Sequence, residues 1–375
     1  MRPHFKLRIT GIIVLFLATG CSKDGNIVPS VTLTISPMIE NPVQSTMTPV
    51  PPTLMVTPTH DSPSTEKELT PAETTKPTFT ETATHLSTDT HTTLPPLSGS
   101  GGGVLVFVRT LGSGWSINII NADSSEEQQI TLHEQAVAYP EWSPDGSQVA
   151  FHKHQSNEVW SINVVDADGS NERRLTNTQT RDANPVWSPD GLQIVFTRNG
   201  DLWVMRADGS DQRVLLDDPV FAYGVDWSPD GNQIVFVSER DGNEEIYLIN
   251  ADGSNPHRLT NEEAQDAWPV WSPDGTQIAF TSNRDNDWEI YVMEVNVGSL
   301  RQLTDNEIDD TDPAWSPDGS RIAFSSNRVS GVPFDTEVFV INTDGSNPQQ
   351  ITEKAGFEWG LDWRPINVAQ SSGSP

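Results

Sequence analysis

The chain has 375 residues, with 52 Asp and Glu against 22 Lys and Arg, and a formal net charge of −30 at pH 7. This acidic surplus repels nucleic acid and anionic lipid head groups, so it excludes nucleic-acid binding and favours basic partners. Cys21 is the single cysteine. An intramolecular disulfide is therefore excluded, and a folded domain must be held by burial of apolar residues.

Residues 1–20 are predicted to be an export signal. Three basic residues in positions 1–8 precede an apolar run from Ile9 to Ala18, which is too short for a bilayer span of about 20 residues. The small residues before Cys21 resemble the lipobox of bacterial lipoproteins, which implies cleavage there and lipid attachment to Cys21. The alternative is ordinary secretion with an incidental cysteine. We expect an exported protein on the periplasmic or extracellular face, with the membrane contacted only through the lipid anchor.

Residues 21–103 are predicted to be a disordered tether. Thr, Pro and Ser make up 39 of the 77 residues from 22 to 98. Such a segment cannot bury enough apolar surface to offset its ordering entropy, and its prolines keep it extended. A Gly-Ser run from Ser98 to Gly103 is expected to form a hinge. Residues 366–375 are expected to be a disordered tail.

Residues 104–365 carry a repeat of 40 to 48 residues, marked by the pentapeptide Trp-Ser-Pro-Asp-Gly. Each unit contains four short β-type runs separated by turn residues, and four strands per unit of this length are typical of a β-propeller blade. The repeated tryptophans are expected to pack between neighbouring blades. They are Trp142, Trp187, Trp227, Trp271 and Trp315, with a degraded sixth copy at Trp363.

The two ends of the repeat region are complementary fragments of one blade. The region opens with a second-strand sequence, Val104–Val108, and closes with a first-strand sequence, Gly360–Trp363. The sequence therefore predicts an all-β, six-bladed propeller of four-stranded antiparallel blades, whose C-terminal strand pairs into the N-terminal blade and leaves no free edge at the seam.

These motifs resemble the TolB-type propeller, also called the WD40-like or PD40 repeat. The resemblance implies the fold over residues 104–365. TolB proteins carry a folded α/β domain ahead of the propeller, where this chain has the predicted tether. Membership of the Tol–Pal envelope system therefore does not follow from the resemblance.

A binding face is predicted at the loops that lead into the innermost strands, because those loops vary while the frame repeats. Five residues before the repeated Trp, four of six blades carry an acid, and these acids are expected to form a partial ring at the channel mouth. Acidic and aromatic side chains together favour a cationic partner. The candidates are Asp182, Asp266, Asp310, Asp312, Glu358, Tyr139, Tyr223, Trp268 and Trp359, with Phe221 and Phe357 on the same loops.

Two alternatives remain open for this face. The aromatic residues can simply fill the channel mouth while the acids solvate its rim, or the acidic ring can hold a divalent cation. No cofactor is expected otherwise. The run Asp166–Asn171 resembles a fragment of a calcium loop but is explained as a hairpin turn. His152 and His154, on one strand face, are a conceivable two-histidine metal site.

Arginine–glutamate pairs are predicted across the hairpins of three blades. Arg240, Arg284 and Arg328 follow the second strand, and a glutamate opens the third strand of the same blade. The glutamates are Glu245, Glu289 and Glu337.

The predicted function is a non-catalytic, lipid-anchored interaction scaffold of the cell envelope that binds a basic protein or peptide. No nucleophile elbow, phosphate-binding loop or metalloprotease motif occurs in the chain. The alternatives are binding of a small ligand, glycan or metal in the channel mouth, and least favoured, a lyase or a module associated with a hydrolase.

Overall fold

The computed structural model describes residues 103–112, 114–156, 158–217, 221–329, 335–354 and 356–365. The predicted signal peptide, Cys21, the tether apart from Gly103, and the tail lie outside the described residues. Within these residues, twenty-four β-strands form six four-stranded sheets. Among the described residues, no helix is long and apolar enough to cross a membrane.

Each sheet is one blade, and its strands run outward from the centre. Blade 1 combines the last strand with the first three: β24 (Glu358–Trp363), β1 (Val104–Leu111), β2 (Gly114–Asn121) and β3 (Gln128–His133). Blade 2 consists of β4 (Val137–Trp142), β5 (Gln148–Ser156), β6 (Val159–Asp166) and β7 (Arg173–Arg174). Blade 3 consists of β8 (Asp182–Trp187), β9 (Gln193–Arg198), β10 (Asp201–Arg206) and β11 (Arg213–Leu216).

The second half of the ring repeats this order. Blade 4 consists of β12 (Ala222–Trp227), β13 (Gln233–Ser238), β14 (Glu245–Asn250) and β15 (His257–Arg258). Blade 5 consists of β16 (Asp266–Trp271), β17 (Gln277–Ser282), β18 (Glu289–Glu294) and β19 (Leu300–Gln302). Blade 6 consists of β20 (Asp310–Trp315), β21 (Arg321–Ser326), β22 (Glu337–Asn342) and β23 (Gln349–Gln350).

The ring closes as the sequence predicts. β24 pairs antiparallel with β1, with Trp363 opposite Leu105 and Glu358 opposite Arg109. The first strand of every blade contacts the first strands of both neighbours, so these six inner strands surround the central axis. The predicted all-β, six-bladed fold is confirmed, and the seam leaves β1 paired on both sides.

The repeated tryptophans lie at the interfaces between blades, and each is less than a tenth exposed. Trp187 of blade 3, for example, packs on Ile162 and Val164 of blade 2. In the same way, Trp271 packs on Ile246 and Leu248 of the preceding blade. Each blade thus buries an apolar face that it cannot cover alone, which is why the ring needs all six.

The turn after each repeated Trp is held by its own side chains. In blade 2, the Ser143 hydroxyl donates to Asp145 Oδ1 at 2.6 Å and accepts from the Gln148 amide at 2.9 Å. Gly146 supplies the left-handed conformation (φ 66°) that the turn requires. These turns define the lower face of the propeller. The opposite, upper face carries the loops that lead into the inner strands.

The chain enters and leaves the propeller at the lower face. β1 begins beside the end of β24, where the Arg364 amide donates to the Val104 carbonyl at 2.7 Å. The upper face is therefore turned away from the point where the N-terminal residues join the propeller.

Candidate functional site

A bulge interrupts every inner strand three residues before the repeated Trp. In each blade the pairing between the inner strand and its neighbour skips residues there, for example between Ala138 and Glu141. The bulge residue has a positive φ of 48 to 62° in all six blades and faces the central channel. The six residues are Tyr139, Asn184, Gly224, Trp268, Asp312 and Gly360.

Two of these bulge residues are bulky aromatics, which rarely adopt a positive φ. Glycine takes this conformation without strain, and Asn and Asp tolerate it. Tyr139 and Trp268 hold it at φ 48° and 52°. Their rings stack across the axis from opposite blades, with centroids 4.7 Å apart and planes 19° apart. Backbone strain of this kind costs on the order of 1–3 kcal/mol and concentrates at functional sites.

Further aromatic rings surround this stacked pair. Trp359 meets Tyr139 edge-on at 4.9 Å, and Tyr223 meets Trp268 edge-on at 5.1 Å. All four rings are partly exposed, and we call them the aromatic floor. Phe221 contacts Tyr223 at 6.3 Å and is 38% exposed. The predicted aromatic candidates therefore come together at the channel mouth on the upper face. They fill the mouth and leave part of their aromatic surface exposed there.

The space beneath the floor is small. A cavity of about 80 Å³ lies in the channel, lined by the bulge residues and the residues that follow them. Binding pockets for drug-sized ligands usually measure about 300–1,000 Å³. The channel itself therefore cannot enclose such a ligand.

The prediction of an exposed ring of acids at the channel mouth is wrong. Asp182, Asp266, Asp310 and Glu358 open their inner strands, but each is fully buried rather than exposed at the mouth. Every one is paired with an arginine of its own blade; Arg109 and Arg198 lie on the second strand, whereas Arg284 and Arg328 follow it by two residues. The pairs are Asp182 with Arg198 at 2.7 Å, Asp266 with Arg284 at 2.8 Å, Asp310 with Arg328 at 2.5 Å and Glu358 with Arg109.

Strand pairing explains why these acids are buried. The first residue of the inner strand lies opposite the end of the second strand, as Asp182 lies opposite Arg198. The arginine covers the carboxylate and neutralises it. Burial nonetheless raises the pKa of Glu358 to about 7, although Arg109 acts in the opposite direction. These four acids therefore contribute little charge to the surface.

The predicted arginine–glutamate pairs are also wrong where they can be followed. Arg284 and Arg328 bind aspartates of the inner strands instead of Glu289 and Glu337. Glu289 Oε1 accepts a hydrogen bond from the Asn306 amide at 2.6 Å. Glu245 likewise accepts hydrogen bonds from the Thr260 hydroxyl at 2.6 Å and the Glu262 amide at 3.0 Å. These two glutamates hold the loops that lead into the next inner strand.

Exposed negative charge lies instead on the upper loops of blades 4 to 6, which we call the acidic rim. The carboxylates of the rim influence one another. Burial raises the pKa of Asp287, and the neighbouring Asp285, Asp309 and Asp305 raise it further. The members of the rim are Asp241, Glu262, Glu263, Asp285, Asp287, Asp305, Glu307 and Asp309, all exposed or partly exposed.

Three more carboxyl groups lie inside the channel, and sequence reasoning missed them. Glu141, Asp226 and Asp362 directly precede a repeated Trp on the inner strands. Asp226 Oδ2 accepts the Trp271 amide hydrogen at 2.7 Å, and Asp362 Oδ2 accepts that of Trp142 at 2.8 Å. Burial raises the pKa of both aspartates to about 7 and that of Glu141 well above its usual range.

Asp312, a predicted binding-face residue, belongs to this channel group. It is the bulge residue of blade 6, and burial raises its pKa to about 6 although the Gly360 amide donates to it. No Lys or Arg occurs among the residues that line the cavity. The signal that could have identified these carboxyls is their position, one or three residues before a repeated Trp.

The described part of the chain offers no set of ligands for the metal sites considered from the sequence. There, no group of three or more His, Cys, Asp or Glu is arranged to hold an ion. Asp166 and Asn171 are joined by a 2.7 Å hydrogen bond across a hairpin turn. His152 Nδ1 accepts the Asn184 amide hydrogen at 3.1 Å, and His154 packs edge-on against Trp160 at 5.0 Å.

A larger hollow of about 560 Å³ lies on the lower face, between the turns of blades 2 and 3. Its carboxylates belong to the turns themselves: Asp145 accepts from Ser143, and Asp190 from Ser188. We therefore attribute this hollow to the spacing of the turns.

The structure thus defines a six-bladed β-propeller with a closed ring and an aromatic channel mouth. Residues 80–222 match the family model of the TolB beta propeller domain (PD40), and residues 250–352 match that of the Tricorn protease N-terminal beta propeller domain. The chain is therefore similar to the TolB-type β-propeller over the matched residues, and it shares that fold. No curated protein matches it in sequence at a significant level.

Solved structures with this fold are numerous, with 1072 matching chains. TolB from Acinetobacter baumannii is 21% identical with a TM-score of 0.63, over 70% of this chain and 67% of that one. A protein assigned as TolB from Agrobacterium tumefaciens is 21% identical with a TM-score of 0.56, over 72% of this chain and 100% of that one.

A hydrazine synthase from Kuenenia stuttgartiensis shares the fold at 14% identity and a TM-score of 0.58, over 72% of this chain and 48% of that one. An enzyme and TolB proteins are thus built on one architecture. The function must be argued from the site.

Proposed function

We propose that this protein is a non-catalytic interaction scaffold of the cell envelope, which binds a basic protein or peptide segment at the channel mouth. The observation that carries the proposal is the Tyr139–Trp268 stack. Two bulky residues hold a strained backbone conformation at positions where glycine or asparagine would relieve it. The strain places two aromatic rings at the centre of the upper face, where they stay partly exposed.

The chemistry of the mouth favours a polypeptide. Partly exposed Tyr and Trp are the residues that most often dominate the binding energy of protein interfaces. The cavity of about 80 Å³ is too small to enclose a small-molecule ligand, whereas the floor offers a broad surface. Binding of a polypeptide on the surface of the aromatic floor is therefore favoured over binding of a small ligand or glycan inside the channel.

Charge favours a basic partner. Residues 101–375 carry 44 Asp and Glu against 16 Lys and Arg, a formal net charge of −28. The acidic rim places part of this charge on the upper loops of blades 4 to 6, and Tyr223 and Trp268 belong to blades 4 and 5. Lys and Arg side chains bind to carboxylates and also to the faces of aromatic rings.

The proposal includes display at a membrane through a lipid anchor at Cys21. Export and lipid attachment rest on the sequence of residues 1–21, and the absence of catalysis rests on the missing catalytic motifs.

The proposal is tested with the full chain and a synthetic library of random 12-residue peptides, selected by affinity at low and at high salt. We expect selected peptides to be rich in Lys, Arg and apolar residues, and their binding to weaken as salt screens the acidic rim.

The decisive variant is Trp268→Asn. The inner strand of blade 3 reads Asp-Ala-Asn-Pro-Val-Trp, and that of blade 5 differs from it only by Trp268. The substitution therefore keeps a sequence that already forms this bulge. A matched control is Leu192→Asn, which removes an apolar side chain that is 66% exposed on the lower face. Asn232 holds the same turn position in blade 4. Equal binding by wild type and Trp268→Asn would overturn the proposal.

A further inference from the structure

Blades 2 and 4 depart from the repeat at the channel mouth. Where the other blades begin their inner strand with a buried acid, these two have Val137 and Ala222. In blade 2, Lys153 lies opposite Val137 on the neighbouring strand and turns away to Glu172, with 2.9 Å between Nζ and Oε1. This part of the mouth therefore lacks the buried acid–arginine pair found in four other blades.

Arg181 occupies the upper loop between blades 2 and 3. Its guanidinium lies 5.9 Å from the centre of the Phe221 ring, and its side chain is exposed. Its backbone is fixed, because its amide donates to Asn199 Oδ1 at 3.1 Å and it forms a parallel bridge with Trp160. No carboxylate pairs with Arg181 in the described structure.

This arginine lies close to the aromatic floor. Burial raises the pKa of Tyr139 well above its ordinary value, and the charge of Arg181 acts in the opposite direction there, as it does at His152, where it lowers the pKa. Burial is the larger cause at His152, whose pKa falls to about 3, so the imidazole is neutral at physiological pH. His152 packs on Tyr139 at 5.5 Å and on Trp160 at 4.9 Å. The fixed positive charge at this edge of the mouth is therefore that of Arg181.

The acidic rim concentrates negative charge at one edge of the mouth, and Arg181 adds an exposed positive charge at the other edge, where Glu134 and Glu158 are exposed acids of the upper loops of blade 2. Arg181 lies at the side of blades 2 and 3, and the acidic rim lies at the side of blades 4 to 6. The Tyr139–Trp268 stack joins blade 2 to blade 5 and so runs from one edge towards the other. The rim attracts a cation, whereas a guanidinium is suited to a carboxylate, which it binds through parallel N–H donors.

We infer that the mouth binds its polypeptide partner in one direction, with a carboxylate of the partner on Arg181 and its basic residues over the acidic rim. The inference rests on the proposed function and adds a polarity to it. The carboxylate can be the C-terminus of the partner or an Asp or Glu side chain.

The test uses the random 12-residue library in two forms, one with a free C-terminal carboxylate and one as the C-terminal amide. Peptides selected on the wild-type chain are expected to combine basic residues with a carboxylate. If the C-terminus is the group recognised, the amide form of a selected peptide binds about tenfold more weakly, as for loss of a hydrogen bond to a charged group. If a side chain is recognised, both forms bind equally and replacing its Asp or Glu by Asn or Gln has that effect.

Variants of the chain separate the two edges. Arg181→Gln is expected to bind the selected peptides about tenfold more weakly and to lose the discrimination between carboxylate and amide. Its matched control is Arg213→Gln, an exposed arginine on β11 at the outside of blade 3. The double variant Asp305→Asn/Glu307→Gln is expected to weaken binding of basic residues while it keeps the preference for a carboxylate.

The failures are distinguishable. If selected peptides carry no preferred carboxylate, or if Arg181→Gln binds them like the wild type, the polarity is overturned. The proposed function stands in that case as long as Trp268→Asn abolishes binding. A library that yields no binder overturns both. Thermal unfolding of each variant shows that lost binding does not come from a lost fold.

Discussion

Tyr139 of blade 2 and Trp268 of blade 5 stack face to face across the propeller axis, although they belong to opposite blades. Both occupy the bulge position of their inner strand with a positive φ. The contact closes the top of the channel with two rings instead of leaving an open pore. It also ties opposite sides of the ring together.

The stack is expected to contribute a coupling free energy of about 1 kcal/mol, as aromatic pairs do. A double-mutant cycle with Tyr139→Asn, Trp268→Asn and the double variant measures it by urea unfolding. Each single variant also relieves backbone strain, so its net loss of stability is expected to stay below the several kcal/mol typical of aromatic deletions in a core. Additive effects in the cycle would show that the two rings do not stabilise each other.

The buried pair of Asp182 and Arg198 is expected to be costly to break from one side. Asp182→Ala leaves the buried Arg198 guanidinium without its counter-charge, although Gln212 still accepts a hydrogen bond from it, and a loss of about 3–5 kcal/mol in the free energy of unfolding is expected. The double variant Asp182→Ala/Arg198→Leu should recover much of that loss. The exposed Glu307 is the control, since Glu307→Ala should change stability by less than about 0.5 kcal/mol. A double variant no more stable than Asp182→Ala would contradict this account.

The raised pKa values of the channel aspartates are expected to make the stability of the fold depend on pH. Asp226 and Asp362 have a folded-state pKa of about 7, against an ordinary value of 3.8. Below the ordinary value both states are protonated, and the two groups contribute nothing to the pH dependence. As the pH rises from there to about 7, the unfolded chain releases protons that the folded chain retains, so the stability falls with rising pH.

This contribution is measured as the difference in Tm between the wild type and Asp226→Asn/Asp362→Asn. Asn keeps an oxygen that can accept the Trp amide hydrogens, and the variant should gain Tm relative to the wild type as the pH is raised from 4 to 7. Asp305→Asn/Glu307→Gln removes the same number of carboxylates from the exposed rim and serves as the control. If plots of Tm against pH were parallel for the wild type and the channel variant, these carboxyls would ionise in the folded chain as readily as in the unfolded chain.

Ring closure makes the last inner strand essential. Deleting residues 358–375 removes β24, which unpairs one side of β1 and strips Trp363 from its contacts with Ala314 and Ala323 of blade 6. Cooperative thermal unfolding is expected to be lost. Deleting only residues 366–375 should leave the transition intact, because β24 ends at Trp363. If the chain without residues 358–375 unfolded like the full chain, the pairing of β24 with β1 would not be what closes the ring.

Much of the fold could be read from residues that act locally. Trp142 and its equivalents recur at a blade-length period, and the turn of Ser143 to Gly146 is built from its own side chains. The complementary fragments at Val104 and Gly360 indicated both the number of blades and the closure. These features depend on neighbours in the chain and on a repeat, so the sequence alone was sufficient to predict them.

The site was predicted only in part. The aromatic residues were assigned to loops at the mouth, whereas Tyr139, Tyr223, Trp268 and Trp359 lie within the inner strands, and the acids beside them were placed on the surface although they are buried. Asp182 and Glu358 are acidic in the sequence whether or not an arginine covers them. That cover depends on which residue of β9 or β1 lies across from them in the sheet.

By itself, then, the sequence determined the architecture, the order of the strands and the overall negative charge. The tertiary structure decided which charges reach solvent and which side chains meet at the axis. Burial, ion pairing and the stacking of Tyr139 on Trp268 arise between residues far apart in the chain, and their distances depend on bulges and strand registers that no single repeat specifies. Likewise, only the tertiary structure places the exposed charge of Arg181 near Phe221 and His152, on the side of the mouth away from the acidic rim.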